Sequence, residues 1–328
     1  MAFVQAITRA YERHGKDPSA ALRLAQITPQ QVQQADSHIT AHQMEVLSGT
    51  AMHELDDEGL AAFSRKLPWG SYGMLARASL SAPNLGVALK RWCRHHALIA
   101  GDITLRIATS GDTAAITVHE ATPDSFGQVG EFGLVHVLRN IHGLACWYVD
   151  SRIPLQGARF PFTAPPHVDA YALMFPGPLQ FGAGHAEIRF DARYLALPLR
   201  RDEKALQHML QRALPLTVLQ YRRDRLLVEQ VRQALANPAA TAHNAATLAA
   251  TLHLSARSLH RQLQEEGASL QQLKDEVRFE KAKELLLRTS RPIKQVAEAC
   301  GFSNDKSFIR AFRQWAGTPP AGFRHAAD

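Results

Sequence analysis

Two stretches near the C-terminus repeat one pattern, and that pattern restricts the fold more than any other feature of the chain. Residues 247–267 read TLAATLHLSARSLHRQLQEEG and residues 295–317 read QVAEACGFSNDKSFIRAFRQWAG. Each predicts a short helix, a turn ending in serine (Ser255, Ser303) and a longer helix. In the longer helix of the second stretch Phe308, Phe312 and Trp315 recur at i, i+4, i+7, an apolar stripe that needs a core. Lys306, Arg310 and Arg313 repeat the same spacing on the opposite side. In the first stretch Leu259 and Leu263 take the places of Phe308 and Phe312. Arg257 and Arg261 take those of Lys306 and Arg310, with Gln264 opposite Arg313. A solvated helix face usually mixes signs, whereas the second stripe carries only positive charge.

Helix, tight turn and longer helix with a basic outer face is the helix-turn-helix pattern, whose second helix enters the DNA major groove. Ser255, and either Ser303 or Asn304, suit the N-caps of the longer helices. Gly301 fits the tight turn of the second unit. The first unit has His253 there, so its turn needs a strained residue or a different angle. The connector SLQQLKDEVRFEKAKELLLR predicts one helix from about Ser269 to Arg288, with Leu273, Val277, Ala282, Leu285 and Leu286 apolar. Its length, on the order of 30 Å, is near the ~34 Å between successive major-groove faces of B-DNA. Pro292 starts the next helix.

The outward residues expected at DNA are Arg257, Ser258, His260 and Arg261 in the first head. In the second they are Lys306, Ser307, Ile309, Arg310 and Arg313. Arg261 and Arg310 have the chemistry for bidentate guanine contacts, although phosphate is the commoner partner of arginine. Arg278, Lys281 and Lys283 read as mixed surface or as phosphate contacts. Phe308, Phe312, Trp315, Leu259 and Leu263 read as core rather than stacking platforms, and Cys300 as a small buried hydrophobe.

Charge supports this division. Residues 1–221 carry 20 Lys and Arg against 19 Asp and Glu; residues 222–328 carry 17 against 11, so nearly all of the net +7 sits in the last third. That is the balance of a polyanion-binding domain. A chain of 328 residues exceeds one ordinary core, which predicts two domains, 1–220 and 221–328.

The first domain reads as α+β and the second as all-α, with two helix-turn-helix units joined by a long helix. Helical spacing in VQAITRAYERHG and PQQVQQADSHITAHQMEVLSGTA, with Pro18 and Pro29 at helix starts, is followed by a break at Ser81–Asn84 and a helix over about Leu85–Leu98. ITLRIATSGDTAAITVHE predicts a hairpin, EFGLVHVLRNIHGLACWYV a helix, and ARFPF, LQFG and EIRFD short antiparallel strands. A helix between Asp202 and Leu219 is expected to kink or end near Pro215, and Asn237-Pro238 to turn between helices. The stripe Leu206, Leu210, Leu214, Leu227, Val231, Leu235 reads either as a dimer contact or as domain core.

The usual catalytic signatures (GxSxG, HExxH, GxxxxGK[ST], a strand-linked GxGxxG) do not occur, so no catalytic residue and no cofactor is assigned. His38 and His42 could share a helix face, but no third ligand stands at useful spacing, so no metal site is assigned. Cys93, Cys146 and Cys300 are far apart and odd in number, which points to a reducing cytoplasm. No secretory signal opens the chain, and no run approaches the roughly 18 apolar residues of a membrane span. Trp69, Tyr72, Trp92, Trp147 and Tyr148 are candidates for an effector pocket, or equally for core. His95 and His96, beside Trp92, either line a polar cavity or lie on a helix surface.

SARSLHRQLQEEGASLQQLKDEVRFEKAKELL followed by IKQVAEACGFSNDKSFIRAFRQWAGTPPAGFR closely resembles the DNA-binding domain of AraC/XylS-type transcription regulators, over roughly residues 222–325. YGMLARASLSAPNLGVALKRWCRHH and LQFGAGHAEIRFDARYLALPL resemble the subgroup whose N-terminal domain is called arabinose-binding-like, as in OruR-type regulators. The resemblance implies an N-terminal domain that senses a small-molecule effector or mediates dimerisation, and a C-terminal domain that binds promoter DNA. It places Arg257, His260 and Arg261 in the first reading helix and Lys306, Ile309 and Arg310 in the second. Lys306-Ser307 stands where the family usually has a small or polar pair. The reading is an effector-controlled, sequence-specific transcription activator, a homodimer, with RNA polymerase as a further partner and no membrane. The rival is an enzyme, for instance a thiol-dependent DNA repair protein with an activated Cys93 or Cys146, fused to a DNA-anchoring domain. A ligand-free architectural protein is the third reading.

Overall fold

Side-chain caps and prolines set the first helix starts. The computed structural model describes residues 1–34, 37–121, 126–211, 226–237 and 244–325. It divides into two compact units, Met1–Asp224 and Arg225–Asp328. The first unit opens with α1 (Ala2–Arg13), α2 (Ser19–Leu24), α3 (Pro29–Gln33) and α4 (Ala41–Leu55). Pro18 is the N-cap of α2 and Pro29 the first residue of α3, where its missing N–H costs nothing. Thr28 and Thr40 form capping boxes with Gln31 and Gln43. Val4, Ile7 and Tyr11 of α1 pack with Leu22, Leu47 and Leu55 in one apolar cluster.

Next come α5 (Ser71–Leu80) and α6 (Leu85–Ile99), the latter capped by Asn84, whose Oδ1 accepts the Val87 N–H at 3.0 Å. Strands β1 (Ile103–Ser110) and β2 (Thr113–Glu120) form the expected hairpin, with Gly111 at φ +54° in its two-residue turn. Helix α7 (Phe126–Val149) is broken at Gly130. Then follow β3 (Leu155–Arg159), α8 (Val168–Met174), β4 (Leu179–Gln180), β5 (Ala186–Asp191) and α9 (Glu203–Leu210).

The five strands lie in the order β1-β2-β5-β3-β4. Alternate residues Ala114, Ile116 and Val118 of β2 and Ala186, Ile188 and Phe190 of β5 are buried and pair across the sheet. Helix α6 packs on β1, and α7 on β2 and β5. Two strand expectations shift. The ARFPF strand ends at Arg159, before Pro161, which has no N–H for a ladder. β4 pairs with β3 in parallel rather than antiparallel, because the intervening segment, with α8 inside it, crosses over and returns in the same direction.

Helix α9 packs on α5. A Cβ on Gly73 would lie 3.0 Å from Leu210 Cδ1, so glycine permits this approach. Leu206 of the long apolar stripe is therefore core of the first unit. Leu227, Val231 and Leu235 belong to the core of the second. Leu214, Pro215, Pro238 and the expected boundary near 220 lie outside the described residues.

The second unit is helical: α10 (Leu226–Ala236), α11 (Ala245–Thr251), α12 (Ala256–Glu265), α13 (Leu270–Arg288), α14 (Ile293–Ala299), α15 (Asp305–Ala316) and α16 (Pro320–His325). It has two cores. Leu248, Leu259 and Leu263 close on Leu227, Val231 and the start of α13 at Leu270 and Leu273. Val296, Cys300, Phe308 and Phe312 close on the other end of α13 at Ala282 and Leu286. One 19-residue helix thus anchors both halves, over about 28 Å at 1.5 Å per residue.

Candidate nucleic-acid interface and ligand cavity

The two turns are the same motif built from different residues. After α11 the His253 N–H donates to the Ala250 carbonyl and the Leu254 N–H to Ala249; after α14 the Gly301 N–H donates to Glu298 and the Phe302 N–H to Ala297. Both are Schellman ends, with the first donor residue left-handed and an apolar residue after it. His253 has φ +55° and Gly301 φ +79°. The first turn therefore takes the strained option rather than a different angle.

The reading helices start from side-chain caps. Ser255 Oγ accepts the Ser258 N–H at 3.0 Å, and Asn304 Oδ1, not Ser303, accepts the Ser307 N–H at 2.8 Å. Counting from these caps, Arg257, His260 and Arg261 superimpose in register on Lys306, Ile309 and Arg310. Leu259, Leu263, Phe308 and Phe312 are wholly buried, which turns the other face of each helix outward. Arg257, His260, Arg261, Lys306, Ile309, Arg310 and Arg313 are exposed, while Ser258 and Ser307 are half-buried at the caps. The heads differ in charge. Arg261 lies 3.5 Å from Glu265 one turn on, whereas no carboxylate within the described residues ion-pairs with Arg310. On the connector, Arg278 stacks over Phe302 at 5.1 Å, and Lys283 pairs with Glu280 at 3.0 Å and covers Phe279. These two cations have structural uses besides any phosphate.

The first unit contains a cavity of about 670 Å³, within the range of small-molecule sites. Its wall is set by three consecutive carboxylates, Asp56, Asp57 and Glu58, after α4. Asp56 accepts the Trp69 N–H; Asp57 accepts those of Gly59, Ala61 and Leu67; Glu58 accepts those of Gly70 (2.8 Å) and Tyr72 (2.6 Å). They pin residues 59–72 to the end of α4 and so fix Trp69 and Tyr72 at the cavity. The opposite wall comes from Trp92 and His96 of α6 and His136 and Asn140 of α7. Trp92 meets Tyr72 edge-on at 5.4 Å. Asn140 Nδ2 lies 3.0 Å from His136 Nε2, and the Glu58 backbone favours the charged form of the His136 ring.

Burial depresses both imidazoles to about 4, that of His96 further through the nearby His136. Burial also raises the Glu58 carboxyl, against the two N–H donors that favour its charged form. Tyr72 Oη and His96 Nδ1 are closed off from solvent without a partner among the described residues.

Of the sequence-selected pocket residues, Trp69, Tyr72 and Trp92 line the cavity. His95 and Trp147 do not. His95 is one helical step, about 100°, from His96, and it is His96 whose ring takes the cavity position. Trp147 is buried in packing with Tyr148 and lies under the Arg201 guanidinium at 5.3 Å. Tyr148 is also core, its hydroxyl donating to the Ala76 carbonyl at 2.7 Å. Glu58, His136 and Asn140 escaped the sequence reading. The run Asp56-Asp57-Glu58 after a helix was the available signal for the first; nothing local marks the other two.

Residues 15–199 match the family model described as the arabinose-binding domain of AraC transcription regulator, N-terminal, which covers more than half of the chain. The chain belongs to the AraC family of transcription regulators. A helix-turn-helix domain model matches residues 248–326, the stretch holding both AraC-type reading heads. The ornithine utilization regulator of Pseudomonas aeruginosa is 25% identical over 329 residues, 99% of this chain and 96% of its own. The HTH-type transcriptional regulator VqsM of the same organism is 36% identical over 80 residues, 24% of this chain and 25% of its own. The solved structure of the transcriptional regulator CdpR, also from P. aeruginosa, covers 96% of this chain and 98% of that one at 21% identity, with a TM-score of 0.35. The AraC-family chain is a DNA-binding transcription regulator with an N-terminal ligand-binding domain, and its matched families and relatives are regulators rather than enzymes. The thiols agree. Burial pushes Cys93 up to about 12 and raises Cys300, away from a nucleophilic thiolate. Cys146 is buried; its sulfur accepts the Ile153 N–H and lies 3.7 Å from His142 Nε2. No described helix is long and apolar enough to cross a membrane.

Proposed function

We propose that this AraC-family regulator reads promoter DNA with two successive major-groove heads and answers a small molecule held in the first unit's cavity. The observation that carries the reading is the pair of register-matched helices, α12 and α15, each cap-started and buried on one face, with Arg257, His260 and Arg261 or Lys306, Ile309 and Arg310 outward. Arg261 and Arg310 are the guanine-reading candidates; Ser258, Ser307 and Arg313 serve phosphates at the rims. The connector length suits adjacent grooves on one DNA face. Trp69, Tyr72 and Trp92, with His96 and Glu58, form the effector site. The chain acts in the cytoplasm as a homodimeric activator that engages RNA polymerase, without catalytic activity.

A fluorescence-anisotropy titration on the gene's own upstream DNA, against scrambled DNA of equal length, tests the reading. Specific binding is expected to be about 10³-fold or more tighter than to scrambled DNA at physiological salt, and to weaken steeply as salt rises. Equal affinity for both DNAs would remove the specificity, and with it the base-reading roles.

A further inference from the structure

The chemistry of the cavity wall restricts what it can hold. Among the described residues no lysine or arginine lines it. The imidazoles of His96 and His136 supply no positive charge near neutrality, being depressed to about 4 by burial. A carboxyl group is present; burial raises it, while the two backbone N–H groups that bond it favour its charged form. Glu58 lines the cavity, with one hydrogen bond to each carboxylate oxygen from backbone N–H groups, so each keeps a free lone-pair direction. Glu45 also lines the cavity, 3.8 Å from the exposed His42 ring. Around Glu58 stand aromatic faces from Trp69, Tyr72 and Trp92.

The alternatives can be ranked by their electrostatics. A ligand carboxylate or phosphate entering this space would lose its hydration, would meet no lysine or arginine among the described lining residues, and would face the Glu58 carboxyl. A neutral hydroxyl or amide avoids that cost but gains only ordinary hydrogen bonds. An ammonium or guanidinium gains a charge-assisted hydrogen bond, roughly twice as strong as a neutral one, and the attraction of aromatic faces for a cation.

We infer that the cavity takes an organic cation, an amine or guanidine on a largely apolar body, with Glu58 as its counter-ion, and that it rejects carboxylates and phosphates. The inference rests on the effector-cavity reading above and names the class of effector.

The full-length chain is titrated with nine probes, built from phenylethyl, indolylethyl and hexyl bodies, each carrying an amine, a hydroxyl or a carboxylate. Melting temperature and calorimetry are the readouts. At least one amine is expected to bind ten-fold or more tighter than the hydroxyl and carboxylate on its own body. Glu58→Gln should then weaken that amine at least ten-fold while the alcohol on the same body changes less than three-fold. Because this substitution also removes an acceptor for the start of α5, the ligand-free melting temperature is measured beside it. The amine-against-carboxylate ranking in the unaltered chain needs no variant. A carboxylate binding as tightly as its amine, or an amine indifferent to Glu58→Gln in a folded variant, overturns the cation assignment and leaves the effector cavity standing. If no probe of any head group binds, the effector-cavity reading falls as well.

Discussion

Replacing Arg310 by alanine separates base reading from charge attraction. The side chain is exposed on α15 and has no ion-pairing carboxylate among the described residues, so its removal should change folding stability by no more than about 0.5 kcal/mol. Its loss should be felt almost wholly at DNA. If Arg310 bonds a guanine edge, Arg310→Ala costs about 1–3 kcal/mol at the preferred site, roughly 5- to 150-fold in Kd, and relaxes the preference at one base position. If it touches only phosphate, affinity falls on all sequences alike, and the slope of log K against log salt flattens by about 0.9. The assay is anisotropy on a selected site, its single-base variants and scrambled DNA, at four salt concentrations. Arg261 provides an internal comparison. Its exposed pairing with Glu265 is worth about 0.3–0.5 kcal/mol, so Arg261→Ala should lose about two-fold less than Arg310→Ala, and Glu265→Ala should tighten binding. Unaltered affinity and salt slope in a fully folded Arg310→Ala chain would refute the placement of α15 at DNA.

Ile309 is 37% exposed between Lys306 and Arg310, a position suited to a thymine methyl; deoxyuridine in place of one thymine should weaken binding to the unaltered chain but not to Ile309→Ala. His253→Gly, which relieves a left-handed histidine, is expected to stabilise the second unit by about 0.5–1 kcal/mol, and Gly301→Ala to cost about 1–2 kcal/mol, both read by urea denaturation. Phe312, wholly buried against Phe279, Phe308 and Phe323, should cost about 3–5 kcal/mol as alanine, abolishing DNA binding through unfolding rather than lost contact. Burial lowers His96, His136 and His142 to about 4 in the folded first unit, while unfolded histidine titrates near 6.5. The unfolded chain thus binds more protons between those values, and stability should fall as pH drops from 6.5 toward 4, by up to about 1.4 kcal/mol per unit for each histidine. Denaturation midpoints that do not move between pH 7 and 5 would contradict this.

The C-terminal third was the more legible part. Its helix faces follow from residues three and four apart, and its caps from residues three apart, so periodicity and a few polar side chains carried nearly all the information. Even there one local choice stayed open. Ser303 and Asn304 both suit a cap, and the choice of Asn304 follows from where the helix must begin for Phe308 and Phe312 to reach their core. In the first unit the elements were readable but their pairing was not. β3 and β4 run parallel because of how the chain crosses between them, which no short-range pattern encodes.

By its own spacing the amino-acid sequence determined the two helix-turn-helix units, the long helix between them and the outward cations, since each depends on neighbours within one or two turns. The cavity was decided by tertiary structure alone. Glu58, Tyr72, His96 and His136 are spread over nearly 80 residues, and they meet because α4, α6, α7 and the pinned loop pack around one space. Which of two adjacent histidines turned inward depended on a helix rotation of about 100° that only packing against the rest of the unit could settle.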